Sequence, residues 1–209
     1  MKFPFIKWFL LSIATILITE IFKNSIKFED LLYNFLSVQL NVKQVENFIT
    51  FQRKWQWFSN LFIPFLLLLK IFVVSIILYI GLFFCNKDLK FNTILNFVLK
   101  AEFIFLLVPI CKIIWFYFFQ TTYTLEDIQY FYPFSALNIV GYKGLENWFI
   151  YPFQVLNLFE LFYVIYLGYE IGKLTDTNTD YGLKVISISY LPSLFIWVAT
   201  IMFFTLNYS

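Results

Sequence analysis

A few residue types that carry chemistry sit where the surrounding sequence argues against them. Lys70 interrupts the apolar stretch 58–84, Glu102 and Lys112 fall within 93–119, and Asn157, Glu160 and Glu170 fall within 148–172. A charge at the centre of an isolated membrane helix costs roughly 2.5–3.5 kcal/mol, so each of these groups should face protein or water rather than lipid. At about 100° per residue, Glu102, Pro109 and Lys112 share one helix face. The same rotation places Asn157, Glu160, Gly168 and Gly172 on one face, and Ser59, Lys70 and Gly81 on another. Such stripes allow two chemistries. One is a proton or ion path, or an anion site around the lysines. The other is a buried polar clasp that fixes helix register, with lysines near an interface snorkelling outward. The clasp is the expectation.

Composition removes most other chemistry. The chain has no histidine, so Ser-His-Asp and Cys-His catalysis and His-ligated metals are excluded. Its two cysteines, Cys85 and Cys111, are far apart in sequence and build no zinc site unaided. A net charge of +2 and no basic run longer than Arg53-Lys54 speak against nucleic acid. With only 6 glycines in 209 residues there is no glycine-rich phosphate loop. Asp176-Thr177-Asn178-Thr179-Asp180 imitates the start of a calcium loop, but the glycine is displaced to 182 and Ser187 replaces the closing glutamate. A polar turn in which Thr179 or Asp180 caps the following helix is expected instead.

The elements that must position the polar residues follow from hydropathy. Hydrophobic residues make up 61% of the chain and charged ones 13%, about half the charge of a soluble domain. A lipid bilayer can cover that much apolar surface, so the expected fold is an all-α, polytopic transmembrane bundle in a single membrane domain. Five stretches qualify as spans: about 3–22, 58–84, 93–119, 148–172 and 183–206. The first is read as a retained anchor, since Thr19-Glu20-Ile21-Phe22 offers no small-x-small cleavage site. Between the first two spans lies an interfacial segment, about 26–57. In it, Phe28, Leu31, Leu32, Phe35 and Leu36 recur at helical spacing opposite Glu29, Asp30, Asn34 and Ser37. This amphipathic helix should lie along the bilayer surface or pack on the protein's own loops. Ile128–Val140 contains Pro133 and is too short to cross, and a surface position is expected over a re-entrant one.

Alternating spans put Trp55, Trp57, Trp115 and Trp148 on one side, as an interfacial aromatic belt requires. Orientation stays open. Lys2, Lys7, Lys87, Lys90, Lys173 and Lys184 flank one side, balanced by Lys23, Lys27, Lys43, Arg53, Lys54 and Lys143 on the other. The short turn Cys85–Asn92 makes spans two and three antiparallel neighbours. Counted from that turn, Lys70 lies about 21 Å deep, Glu102 about 14 Å and Lys112 about 29 Å. A Lys70–Glu102 pair is therefore predicted, with Glu160 meeting Lys112 or Lys70. Gly168 and Gly172 are expected to pack helices within the bundle.

Tyr132-Pro133-Phe134-Ser135, the run Pro152–Glu160 and Ser189-Tyr190-Leu191-Pro192, taken with five spans, resemble the Yip family of Ypt-interacting membrane proteins. The chain looks like a divergent bacterial member. It departs in having a long amphipathic connection after the first span and, as read here, no soluble N-terminal domain of the eukaryotic type. The resemblance implies a non-enzymatic membrane scaffold and carries no site residues. Three functions are thus weighed: a non-catalytic scaffold or partner-binding subunit, a small transporter using Lys70, Glu102, Lys112 and Glu160, and, least, an intramembrane enzyme. The expected surroundings are a lipid bilayer, with a bacterial inner membrane as location, other membrane proteins as partners, and no cofactor or metal.

Overall fold

The structure, a computed structural model, describes residues 4–208; the expected start of the first span at Phe3 and the flanking Lys2 lie outside the described residues. Among those residues every regular element is helical. Three helices are long and apolar enough to cross a membrane: Phe5–Ser25, Val42–Phe84 and Thr179–Asn207.

The first of these, α1 (Phe5–Ser25), leads through Lys27, in left-handed backbone, into α2 (Phe28–Leu36). The amphipathic pattern does form this short helix. Its Leu32 is buried, and Phe28 and Leu31 pack on a small cluster of Ile26, Phe116 and Ile128. Phe35 stays exposed and Leu36 half-buried. The remainder of the expected interfacial segment is different. Residues 42–57 continue without a break into the second span as α3 (Val42–Phe84), 43 residues long. A capping box fixes its start: Gln44 N–H donates to Asn41 Oδ1 at 3.0 Å, and Asn41 N–H donates to Gln44 Oε1 at 3.1 Å.

α3 turns at Cys85 into α4 (Phe91–Ala101), a 3₁₀ turn over Glu102–Leu106 and α5 (Leu107–Phe118). The expected third span is thus a helix of changing pitch. Pro109 has no N–H for the Phe105 carbonyl four residues back, which accounts for the disturbance there. The fourth expected span is also interrupted. It consists of α8 (Asn147–Val155) and α9 (Leu158–Leu174), separated at Leu156–Asn157. Before α8 come two short helices, α6 (Leu125–Tyr130) and α7 (Ala136–Val140). The last long helix joins α10 (Thr179–Ile188) to α11 (Tyr190–Tyr208) through Ser189. Asn178, rather than Thr179 or Asp180, caps α10, accepting from Tyr181 N–H at 2.9 Å.

α1 and α3 run antiparallel. Trp8 Nε1 donates to Pro64 O at 3.3 Å and Gln56 Nε2 to Glu20 Oε2 at 2.9 Å, tying α1 to α3. The core stripe of α3, Ile71, Val74, Leu78 and Leu82, shares one apolar core with Ile94, Leu95 and Val98 of α4 and Leu167 and Ile171 of α9. The α9–α10 hairpin is the closest contact. A Cβ on Gly182 would collide with the Gly168 carbonyl, and one on Gly172 with the Asn178 backbone. The glycine pair at 168 and 172 does pack helices, within this hairpin. Large apolar side chains such as Phe9, Leu17, Phe65, Phe83, Phe162 and Phe195 cover the outside.

Candidate functional site

Where α3, the 3₁₀ turn and α9 meet, the bundle holds a polar cluster. Lys70 Nζ lies 2.8 Å from Glu102 Oε2, so the predicted pair is present. Glu102 is 2% exposed, whereas the Lys70 side chain is 42% exposed. The ammonium also lies 3.9 Å from the centroid of the Phe105 ring, within reach of its negative face. The other Glu102 oxygen, Oε1, accepts the Tyr163 hydroxyl at 3.0 Å. Glu102 is therefore satisfied on both oxygens, which a carboxylate at this depth of burial requires.

Glu160 lies one turn before Tyr163 on α9. Its partner is not a lysine. Tyr190 at the start of α11 donates to Glu160 Oε1 at 2.6 Å, and the Tyr163 and Tyr190 rings pack with centroids 5.7 Å apart. Sequence reasoning missed both tyrosines. A signal existed, since Tyr163 follows Glu160 by three residues and so shares its face.

Lys112 and Asn157 do not join the cluster. Lys112 Nζ donates to the Ile128 carbonyl at 3.4 Å, toward α6. Lys112 forms no ion pair with Glu160, whose Oε1 takes the Tyr190 hydroxyl. Asn157 is the N-cap of α9. Its Oδ1 accepts from Glu160 N–H at 2.8 Å, and its Nδ2 donates to the Gln154 and Val155 carbonyls at 2.9 and 3.0 Å.

The segment expected on the surface supplies the remaining backbone partners at that break. Ala136 N–H donates to Leu156 O at 2.8 Å and Leu158 N–H to Phe134 O at 3.2 Å. Ser135 thereby forms an isolated antiparallel bridge to Asn157. Buried backbone groups need partners, and an interrupted helix draws a loop in to provide them. Phe131, just before the bridge, stacks on Trp115 near the end of α5 with centroids 5.2 Å apart. The segment is only half covered: Pro133, Ser135 and Leu137 are buried, whereas Phe134, Ile139 and Val140 are exposed.

Beside this loop is a cavity of about 1190 Å³ walled by α5, α7, α9 and α11. Its lining is apolar and aromatic except for Ser135, Asn138, Asn157, Glu160 and Cys111. Lys70, Glu102 and Lys112 are not in its wall. No cluster of three or more metal-ligating side chains occurs among the described residues.

Comparison of the chain with protein families, with curated proteins and with solved structures finds no match.

Proposed function

We propose that the chain is a non-catalytic integral membrane protein that crosses the bilayer five times and works as a scaffold or partner-binding subunit, in the manner expected of a Yip-like protein. The crossings are α1, α3 from Trp57 onward, α4 with α5, α8 with α9, and α10 with α11. Two observations support this count. Trp57 to Phe84 spans about 40 Å of helix, close to a bilayer with its headgroup regions. The turns after α3 and α9 also meet at one end, where Lys87 Nζ donates to Thr175 O at 3.3 Å. In this reading α2 lies at the opposite interface, held to α3 by Glu29 and Arg53 with Nη2 2.6 Å from Oε2.

One observation carries the functional reading: the intramembrane pair is closed on itself. Lys70 is taken by Glu102, Glu102 is completed by Tyr163, and among the described residues no buried side-chain nitrogen or oxygen lacks a partner. A clasp of this kind holds three helices in register and leaves the lipid- or partner-facing surface to act.

A transporter is the second reading, favoured by Glu160 in the wall of a cavity beside an interrupted helix. The two are separated by purifying the protein from its native membrane after crosslinking, and by solute-flux assays on proteoliposomes. A scaffold gives a stoichiometric membrane-protein partner and no flux above empty liposomes. Flux that disappears in Glu160→Gln, with the variant inserted normally, overturns the scaffold reading.

A further inference from the structure

The cavity bounded by α5, α7, α9 and α11 has a composition that specifies a ligand. Trp115, Phe131, Phe134, Ile139 and Leu194 make its walls apolar, and Glu160 is the only charged side chain among them. Among the described residues Glu160 belongs to no ion pair. The lysine nearest in kind, Lys70, is already joined to Glu102, and Glu160 Oε1 has the Tyr190 hydroxyl. The Lys70 charge reaches Glu160 but is bound to Glu102, so a carboxylate facing apolar walls lacks a cation of its own, and one that enters with its own apolar surface relieves that cost. Aromatic faces beside the carboxylate add attraction for the same charge. The space, about 1190 Å³ and open along one side of the bundle, admits a bulky ligand entering from that side.

Main-chain hydrogen bonds hold one wall of the cavity in place. The Phe134–Ala136 segment is held to the α8–α9 break by two main-chain hydrogen bonds, Ala136 N–H to Leu156 O and Leu158 N–H to Phe134 O. Irregular backbone at membrane depth is tolerated where it is buried in protein or lines a cavity. A closed bundle with an unbroken fourth helix would need neither the loop nor the break.

We propose that this cavity binds a hydrophobic monovalent cation drawn from the membrane, with Glu160 as its counter-ion and the aromatic wall around its apolar body. The proposal rests on the membrane-embedded reading of the chain and goes beyond its scaffold role.

The test uses the full-length protein purified in detergent, with radiolabelled tetraphenylphosphonium in equilibrium dialysis and tetraphenylborate as its anionic isostere. Saturable binding of the cation is expected, without saturable binding of the borate. Glu160→Gln should weaken cation binding by about tenfold or more. Ala136→Trp, which fills the cavity and leaves the Glu160–Tyr190 bond in place, should do the same; it decides the matter if Glu160→Gln fails to fold. Equal binding of the two isosteres marks a groove for acyl chains only and overturns the proposal. So does undiminished cation binding in a folded Ala136→Trp protein, or no saturable binding at all. Dispersal of the wild-type chain without detergent would instead overturn the membrane reading itself, which keeps the two failures distinct.

Discussion

The Tyr163 hydroxyl donates to Oε1 of Glu102, the oxygen that Lys70 does not take. A neutral residue thus completes a charged pair, and three helices are joined through one carboxylate. Tyr163→Phe removes the donor and leaves a buried carboxylate oxygen unmet, at a cost of about 1.5–3 kcal/mol. Thermal unfolding in detergent should show the loss as a lowered midpoint.

The ion pair itself is tested by a double-mutant cycle. Lys70→Met strands the Glu102 charge, and Glu102→Gln strands the ammonium. The two together should be less destabilising than the sum of the singles, with a coupling of about 1 kcal/mol or more. Additive effects would mean that solvent or lipid headgroups already screen Lys70.

Gly182 has no room for a side chain, because its Cβ position coincides with the carbonyl of Gly168 on the facing helix. Backbone cannot give way as a flexible side chain does. Gly182→Ala should cost about 3 kcal/mol, the upper range of overpacking, and loosen the α9–α10 hairpin. Gly144→Ala is the contrast. Space there is open, and the strain comes only from φ of +81°, so the cost should stay near about 1 kcal/mol. Detergent melting curves of the two variants separate these mechanisms.

Asn157 is predicted to matter as a cap rather than as a polar group in a pathway. Asn157→Ala loses both the bond from Glu160 N–H and the two bonds to the end of α8, and should destabilise by at least about 1 kcal/mol. Asn157→Asp keeps the acceptor and loses the Nδ2 donor, so it should fall between wild type and alanine. Equal melting of the aspartate and alanine variants would remove the capping account.

The connection between α5 and α8 carries a pH-sensitive contact. Partial burial pushes the Asp127 carboxyl upward, but Thr124 N–H, the Tyr142 and Thr124 hydroxyls and nearby Lys143 outweigh it and hold the group below the usual range. Burial, then the bond to Asp127, pushes the Tyr142 hydroxyl up to about 12. The Asp127 contribution is present above the ordinary aspartate range and is lost as pH falls through the depressed value. The Tyr142 contribution is present below the ordinary tyrosine value of about 10 and is lost as pH rises toward about 12. Tyr142→Phe should remove the Tyr142 share of the alkaline loss and weaken the acid one, read by the pH dependence of the melting midpoint.

What the sequence made legible follows from geometry. The Lys70–Glu102 pair could be placed because a short turn fixes two antiparallel helices, and residues counted from it fall at similar heights. The same counting gave no height for Glu160, which belongs to a helix beyond that turn, so it could not choose between Lys112 and Lys70; Lys112 turns instead to the Ile128 carbonyl. Tyr163 and Tyr190 were hidden because an aromatic residue in an apolar run reads as packing, and only its hydroxyl becomes a partner. The interruption at Asn157 was also written in the chain. Asn157 followed by Glu160 has the spacing of a helix start, yet its place within an apolar stretch gave it the look of a stripe residue. Asn41 and Gln44 carried the matching signal for the true beginning of α3. The pairing of Phe134–Ala136 with the α8–α9 break had no local signal, because main-chain bonding to a distant break leaves no mark in side-chain pattern.

The uninterrupted length of α3 has a mechanical consequence. At about 1.5 Å per residue its 43 residues make a rod of about 65 Å, roughly twice the thickness of membrane oil. Whatever grips the tip near Val42 holds a lever whose far arm ends beside the Cys85 carbonyl that Tyr181 touches. No joint interposes to absorb the pull; only the hydrogen bond missing at Pro64 offers a place to bend, and there Trp8 of α1 is already fastened.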